Sequence, residues 1–245
     1  MALNIIILAG GKGTRIKSVL KDTPKVMANI AGKPFLDWLL IWIDSWELDI
    51  PINILISTCK GHNTIKNYCI RRNLNVLCIP EEKPLGTFGA IANVASTNIS
   101  NDYLVLNGDT IFKADLKKIY EIFKNNIEKK PLLILKESLK NQRFGGYEHF
   151  ESGWKFSHKN TKFISMGSFF INYEDLKERW INTTNVPFRK EQINNIEKQY
   201  MIDNHLFNNV PISAEVLESN TPFIDIGIPI SFKEAQTFIP KILKN

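Results

Sequence analysis

Residues 5–15 read IIILAGGKGTR: an apolar run that ends in Gly10, Gly11 and Gly13, interrupted by Lys12 and followed by Thr14 and Arg15. Glycines let main-chain N–H groups close around an anion. An arginine adds a bidentate partner for phosphate. The combination suits the triphosphate of a nucleotide. Two familiar phosphate loops do not fit. A Walker loop needs four residues between its glycines and then Gly-Lys-Ser/Thr. A dinucleotide fingerprint started at Gly11 meets Ile16 where its third glycine belongs.

Four further stretches carry groups that could act on the same ligand. In DTPKVMANIAGKPFL, residues 22–36, Pro24 fixes the chain just before Lys25, so the lysine can reach bound phosphates. In EEKPLGTFGAI, residues 81–91, Pro84, Gly86 and Gly89 make a turn that feeds a helix, where a flat base could lie on the backbone. No side chain there reads one base uniquely: Glu81 or Glu82 could accept from the N1–H and amino group of a guanine, and either could equally be a solvated loop charge. LVLNGDTIF, residues 104–112, puts Asp109 at the end of an apolar strand, and FIDIGIP, residues 223–229, sets Asp225 among apolar neighbours. An unpaired charge there is costly. Two such carboxylates suit Mg²⁺, which takes one or two of them with phosphate oxygens and water. Plainer readings stand beside these: an ordinary turn around Gly86, an Asx turn at Asp109, and a solvated charge at Lys25.

These groups need a scaffold, and the hydrophobic pattern supplies one. Strands are predicted over 3–8, 52–57, 75–79, 103–106 and 131–136, and helices over 34–46, 62–72, 87–95 and 116–125. Alternation of this kind implies an α/β fold with a doubly wound, parallel sheet. Ligands in such sheets sit at the carboxyl ends of the strands, where residues 10–15 and 107–109 both fall. After about residue 137 glycines and aromatics interleave. Short antiparallel strands are predicted over 145–150, 154–158 and 165–171, then strands over 212–217 and 223–226, with helices over 174–180, 190–199 and 230–239. The economical organisation is one domain, 1–245, with two lobes, 1–136 and 137–245, one per substrate. Trp38, Trp42 and Trp46 recur at helical spacing on one face. Core packing is the leading reading of that stripe, and a homodimer interface is the minority one.

Bulk properties exclude several classes. The chain has 245 residues, 44% of them hydrophobic and 23% charged, with a net charge of +6 from 31 basic and 25 acidic side chains. The basic residues are scattered, whereas a nucleic-acid binder concentrates them in a stripe. No apolar run approaches a bilayer span, and the first strand is not preceded by a basic leader. A cytoplasmic protein with no nucleic-acid or membrane partner is expected. Cys59, Cys69 and Cys78 are odd in number and match no metal spacing. They are expected to be buried free thiols.

Taken together, residues 8–15, Pro24-Lys25, Gly32-Lys33-Pro34, and residues 84–90, 107–109 and 225–229 resemble the sugar-1-phosphate nucleotidyltransferase family, in that family's order and over nearly the whole chain. The resemblance implies a Rossmann-like nucleotidyltransferase fold with a smaller antiparallel sugar-binding lobe. It implies a reaction in which a sugar 1-phosphate oxygen attacks the α-phosphorus of a nucleoside triphosphate and pyrophosphate leaves, with no covalent enzyme intermediate. Among catalytic residues, Arg15 would hold the outgoing pyrophosphate, Lys25 would stabilise charge at the α-phosphate, and Asp109 and Asp225 would hold Mg²⁺. Leu8, Ala9, Gly10, Gly11, Gly13 and Thr14 would cradle the nucleotide. Glu81, Pro84, Gly86 and Thr87 would border the base, and Asn107 and Gly108 would lead to the metal. Gly145 and Gly167 would lie beside the sugar, with Lys159 on its phosphate. One departure is His158, which stands before Lys159 where the family has Glu. A carboxylate accepts two hydroxyl hydrogen bonds and a neutral imidazole one, so the sugar is unusual or is held through other atoms. Within the family, the short chain and the run 18–40 resemble the D-glycero-D-manno-heptose 1-phosphate guanylyltransferases. That implies GTP as nucleotide and GDP-heptose, a precursor of bacterial surface polysaccharide, as product. A uridylyl-, cytidylyl- or thymidylyltransferase is the alternative. A catalytically silent relative that binds a nucleotide sugar is a third reading, but it would be expected to lose Lys25, Lys159 or a metal carboxylate, all of which are present.

Overall fold

The computed structural model describes residues 2–126, 130–138, 146–157, 161–207 and 212–243. Its first half runs β1 (Leu3–Leu8), α1 (Lys17–Leu20), the short pair β2 (Asn29–Ile30) and β3 (Lys33–Pro34), α2 (Phe35–Asp44), β4 (Ile52–Thr58), α3 (His62–Arg71), β5 (Val76–Pro80), α4 (Gly86–Ala95), β6 (Asp102–Asn107), β7 (Thr110–Phe112) and α5 (Leu116–Lys124). The second half runs β8 (Leu132–Glu137), β9 (Gly146–Phe150), β10 (Gly153–Ser157), β11 (Phe163–Asn172), α6 (Tyr173–Thr184), α7 (Lys190–Asn195), a π-helical turn (Ile202–Leu206), β12 (Ser213–Leu217), β13 (Phe223–Asp225) and α8 (Pro229–Ile242).

Among the described residues one nine-stranded sheet organises the molecule, with strands in the order β5-β4-β1-β6-β11-β9-β10, β8 pairing with β11 and β12 with β8. The first four strands are mutually parallel. β11 then runs antiparallel to β6, β8 and β9. The α/β architecture with a parallel central sheet and smaller antiparallel parts is the expected one.

Side chains of a strand alternate between faces, and both faces of β1 are covered. Leu3, Ile5 and Ile7 join a cluster with Trp42, Phe112 and Ile239, while Ile6 joins a second with Phe88, Tyr103 and Trp180. The tryptophan stripe belongs to the first cluster. Trp42 meets Trp46 and Phe112 edge to face, each at 4.9 Å, and the Trp38 indole donates to the Ile30 carbonyl at 2.8 Å. This stripe is core, and the alternative of an interface along it falls away.

Several predicted elements differ in detail. Pro34 caps α2 instead of opening it, because the preceding β3 holds it extended. The helix expected over 190–199 stops at Asn195, where Ile196 turns extended and carries the chain toward α4. β8 leaves the parallel set. It pairs antiparallel with β11 and parallel with β12, because the free edge of β6 is taken by the longer, apolar β11. All three cysteines are free, but only Cys69 is fully buried; Cys59 and Cys78 are partly buried.

Candidate active site

The carboxyl ends of β1 and β6 form the floor of a cleft of about 420 Å³. They can approach because of Gly108. Its N–H donates to the Leu8 carbonyl at 3.0 Å, and a Cβ there would sit 2.6 Å from that same oxygen. Beyond β1 the chain enters the glycine loop, where Gly13 has a left-handed backbone, φ +60°, before a single 3₁₀ turn, Thr14–Ile16. Gly11 and Arg15 face the cleft. Lys25 opens a second 3₁₀ turn, Lys25–Met27, with Pro24 at its cap. Its ammonium pairs with the Asp109 carboxylate.

Asp225 arrives from the far end of the chain. β13 pairs antiparallel with β7, placing Asp225 opposite Thr110, and the Ile226 N–H donates to the Asp109 carbonyl at 2.9 Å. The two aspartates thus meet at one rim of the cleft. The Asp225 carboxylate accepts the Gly227 N–H at 2.8 Å. Arg15 and Lys25 offer fixed positive charge to a phosphate, and the aspartates offer hard oxygen donors to a divalent cation.

The opposite wall comes from the antiparallel half. β11 changes register between Ser165 and Phe169. Inside that irregularity Gly167 takes φ +68°, and a Cβ on it would lie 2.4 Å from the Asn107 amide nitrogen. Ser165, Gly167 and Phe169 alternate along β11 and line the cleft, with Leu133 and Tyr147 beside them. The chain at 200–207 closes the wall as a strap laid across α4. The Tyr200 carbonyl accepts the Phe88 N–H at 2.8 Å, and the Thr87 hydroxyl accepts the Ile202 N–H at 2.9 Å. Met201, Ile202 and Phe207 then face the cleft.

A family model described as nucleotidyl transferase matches residues 4–241. The chain belongs to the nucleotidyl transferase family. It is 30% identical to a D-glycero-alpha-D-manno-heptose 1-phosphate guanylyltransferase of Campylobacter jejuni, covering 93% of this chain and 96% of that one. It is 28% identical to the enzyme of that name from Aneurinibacillus thermoaerophilus, covering 96% and 97%. Among solved structures, HddC from Yersinia pseudotuberculosis complexed with GMP-PN superposes with a TM-score of 0.72 at 26% identity, over 95% of this chain and 97% of that one. Among the described residues no helix is long and apolar enough to cross a membrane.

In this nucleotidyl transferase the cleft gathers most of the residues singled out in the sequence: Leu8, Ala9, Gly11, Arg15, Lys25, Thr87, Asn107, Gly108, Asp109, Gly167 and Asp225 all line it. Others serve it from behind. Gly10 backs onto Glu81, whose Oε1 lies 2.7 Å from where a Cβ would stand. Gly13 and Thr14 form the turn that aims Arg15. Glu81 is half-buried and accepts the Leu85 N–H at 3.0 Å and the Ser57 hydroxyl at 3.3 Å. Burial pushes its carboxyl above the ordinary value, against the pull of those hydrogen bonds. Glu82 and Pro84 are exposed on the turn outside the cleft.

Gly86 is not among the cleft-lining residues. The Tyr200 main chain lies 2.5 Å from a would-be Cβ on it, and its φ is +77°, so the strap requires a glycine at this position. Gly145, His158 and Lys159 fall outside the described residues. Sequence reasoning missed Val26, Leu133, Tyr147, Ser165, Phe169, Met201, Ile202 and Phe207. Alternation about Gly167 pointed to Ser165 and Phe169; no local signal marked the strap.

Proposed function

We propose that this nucleotidyl transferase joins GTP to D-glycero-D-manno-heptose 1-phosphate, releasing pyrophosphate and forming GDP-heptose. The observation that carries this reading is the convergence of Gly11, Arg15, Lys25, Asp109 and Asp225 on one cleft whose far wall is built by another part of the chain. Two anionic substrates can lie end to end there, one against the glycine loop and one against β11. The names of the two near-full-length relatives and the guanine nucleotide in the structural relative favour this substrate pair over uridylyl, cytidylyl or thymidylyl transfer.

Transfer of this kind needs little covalent chemistry from the protein; positioning and charge stabilisation dominate. Gly11 and the turn after Gly13 orient the triphosphate. Arg15 holds the β- and γ-phosphates as they leave. Lys25 answers the charge growing on the α-phosphate. The sugar phosphate is already ionised and needs no general base. Asp109 and Asp225 fit Mg²⁺ by donor type and by their meeting at one rim, and when bound the ion would neutralise phosphate charge. Glu81, held by Leu85 and Ser57 behind the glycine loop, is our candidate for reading the guanine edge. The half built on β4, β1 and β6 would serve the nucleotide, and the half built on β11 the sugar phosphate.

Pyrophosphate release with Mg²⁺, across four nucleoside triphosphates and a panel of sugar 1-phosphates, tests the reading. Release with GTP and heptose 1-phosphate is expected. Release with another pair would keep the reaction and discard this substrate choice. Nucleotide binding without release from any pair would favour a silent nucleotide-sugar-binding protein.

A further inference from the structure

The strap that walls the cleft is braced from outside by α6. A helical turn leaves its last carbonyls without partners in the turn itself. In the π-helical turn these are the carbonyls of His205 and Leu206, and both are taken by α6: the Thr183 hydroxyl donates to His205 at 3.2 Å, and Arg179 Nη1 donates to Leu206 at 3.1 Å. Arg179 is buried. Its Nε donates to Asp175 one turn earlier at 2.7 Å, which fixes the guanidinium plane. At the other end of the strap the contacts to Thr87 and Phe88 fix Tyr200 and Ile202. The side chains that face the cleft, Met201, Ile202 and Phe207, sit at or next to these two anchors, and Phe207 packs edge to face on Phe169 at 5.0 Å.

We propose that Arg179, although outside the cleft, is a positioning residue for the sugar 1-phosphate: held by Asp175, it sets the Met201–Ile202–Phe207 wall through the Leu206 carbonyl. The inference rests on the reading that the β11 side of the cleft takes the sugar phosphate. Fixed donor geometry matters in this role, since a guanidinium satisfies a carboxylate and a carbonyl at once and an ammonium holds both less well.

The test compares Arg179→Met, Arg179→Lys and Thr183→Val with wild type. Loss of a buried charge-assisted hydrogen bond to the wall is expected to raise KM for the sugar 1-phosphate roughly tenfold in Arg179→Met. KM for the nucleotide should stay at its wild-type value. Arg179→Lys is expected to recover part of the loss. Thr183→Val, which leaves the buried ion pair intact, should move KM the same way by about threefold. Hydrogen exchange provides a readout that needs no turnover: the amides of 202–207 are expected to exchange faster in Arg179→Met, with those of 8–16 unchanged. Equal rises in both KM values, or unchanged exchange at 202–207, would overturn the inference. Absence of release by wild type from every substrate pair would overturn the proposed function instead, and the exchange comparison would still decide the role of Arg179.

Discussion

Asp109 sits where two attractions compete. Lys25 already pairs with it, and a divalent cation would claim the same carboxylate. The amide of Asp109→Asn keeps the shape and loses the charge, so turnover should fall on the order of a hundredfold or more, while GTP binding in EDTA survives; calorimetry and pyrophosphate release measured together check both. Glu81 is a different case, because burial raises its carboxyl. If its ionised form reads guanine, GTP affinity should weaken as pH falls through that raised value, and Glu81→Gln should lose the dependence and discriminate GTP from ATP less well. Binding titrations across pH report this directly. The sign for stability is opposite. The folded state holds the Glu81 proton more tightly than the unfolded one, so this contribution is full at low pH and is lost as pH rises through the folded value.

At the scale of elements, the strap and α4 depend on one glycine. Gly86→Ala would place a Cβ 2.5 Å from the Tyr200 carbonyl in a left-handed backbone. A destabilisation of about 1–3 kcal/mol is expected, with a lower melting temperature and a higher KM for the sugar phosphate. The same region shows where sequence is informative. The ends of β1 and β6 were legible because apolar runs, glycines and Asn-Gly-Asp are local signals that coincide with the strand ends. The partner of β8 was not, since its own residues read as an ordinary buried strand and the choice between β6 and β11 is made 30 residues later. The strap at 200–207 was illegible for a stronger reason: beyond local bonds such as Phe207 N–H to the Ile202 carbonyl, it is held in place by Leu85, Thr87, Phe88, Arg179 and Thr183, none of them nearby in sequence. Asp109 and Asp225 were individually visible as carboxylates at apolar strand ends, but their meeting depends on the pairing of β7 with β13.

At the scale of the molecule, the two halves share both cores. Trp42 packs in one cluster with Met166, Phe170 and Ile224, and Ile6 in the other with Tyr147, Phe169 and Trp180. Unfolding in urea should therefore appear as one transition, with far-ultraviolet dichroism and tryptophan fluorescence coincident; two separated transitions would mean the halves are independent. β11 has a further consequence, which concerns the order in which a ribosome delivers the chain. β6 and β8 both wait for it: among the described residues β6 has β1 on one side and β11 on the other, and β8 pairs only with β11 and β12. Until residues 163–172 emerge, the nascent protein carries an open, apolar strand edge at Tyr103–Leu106 and an unpartnered apolar segment at Leu132–Leu135. Such edges invite pairing with other chains. Translation pauses before β11 would then be costly, and pauses after it comparatively harmless.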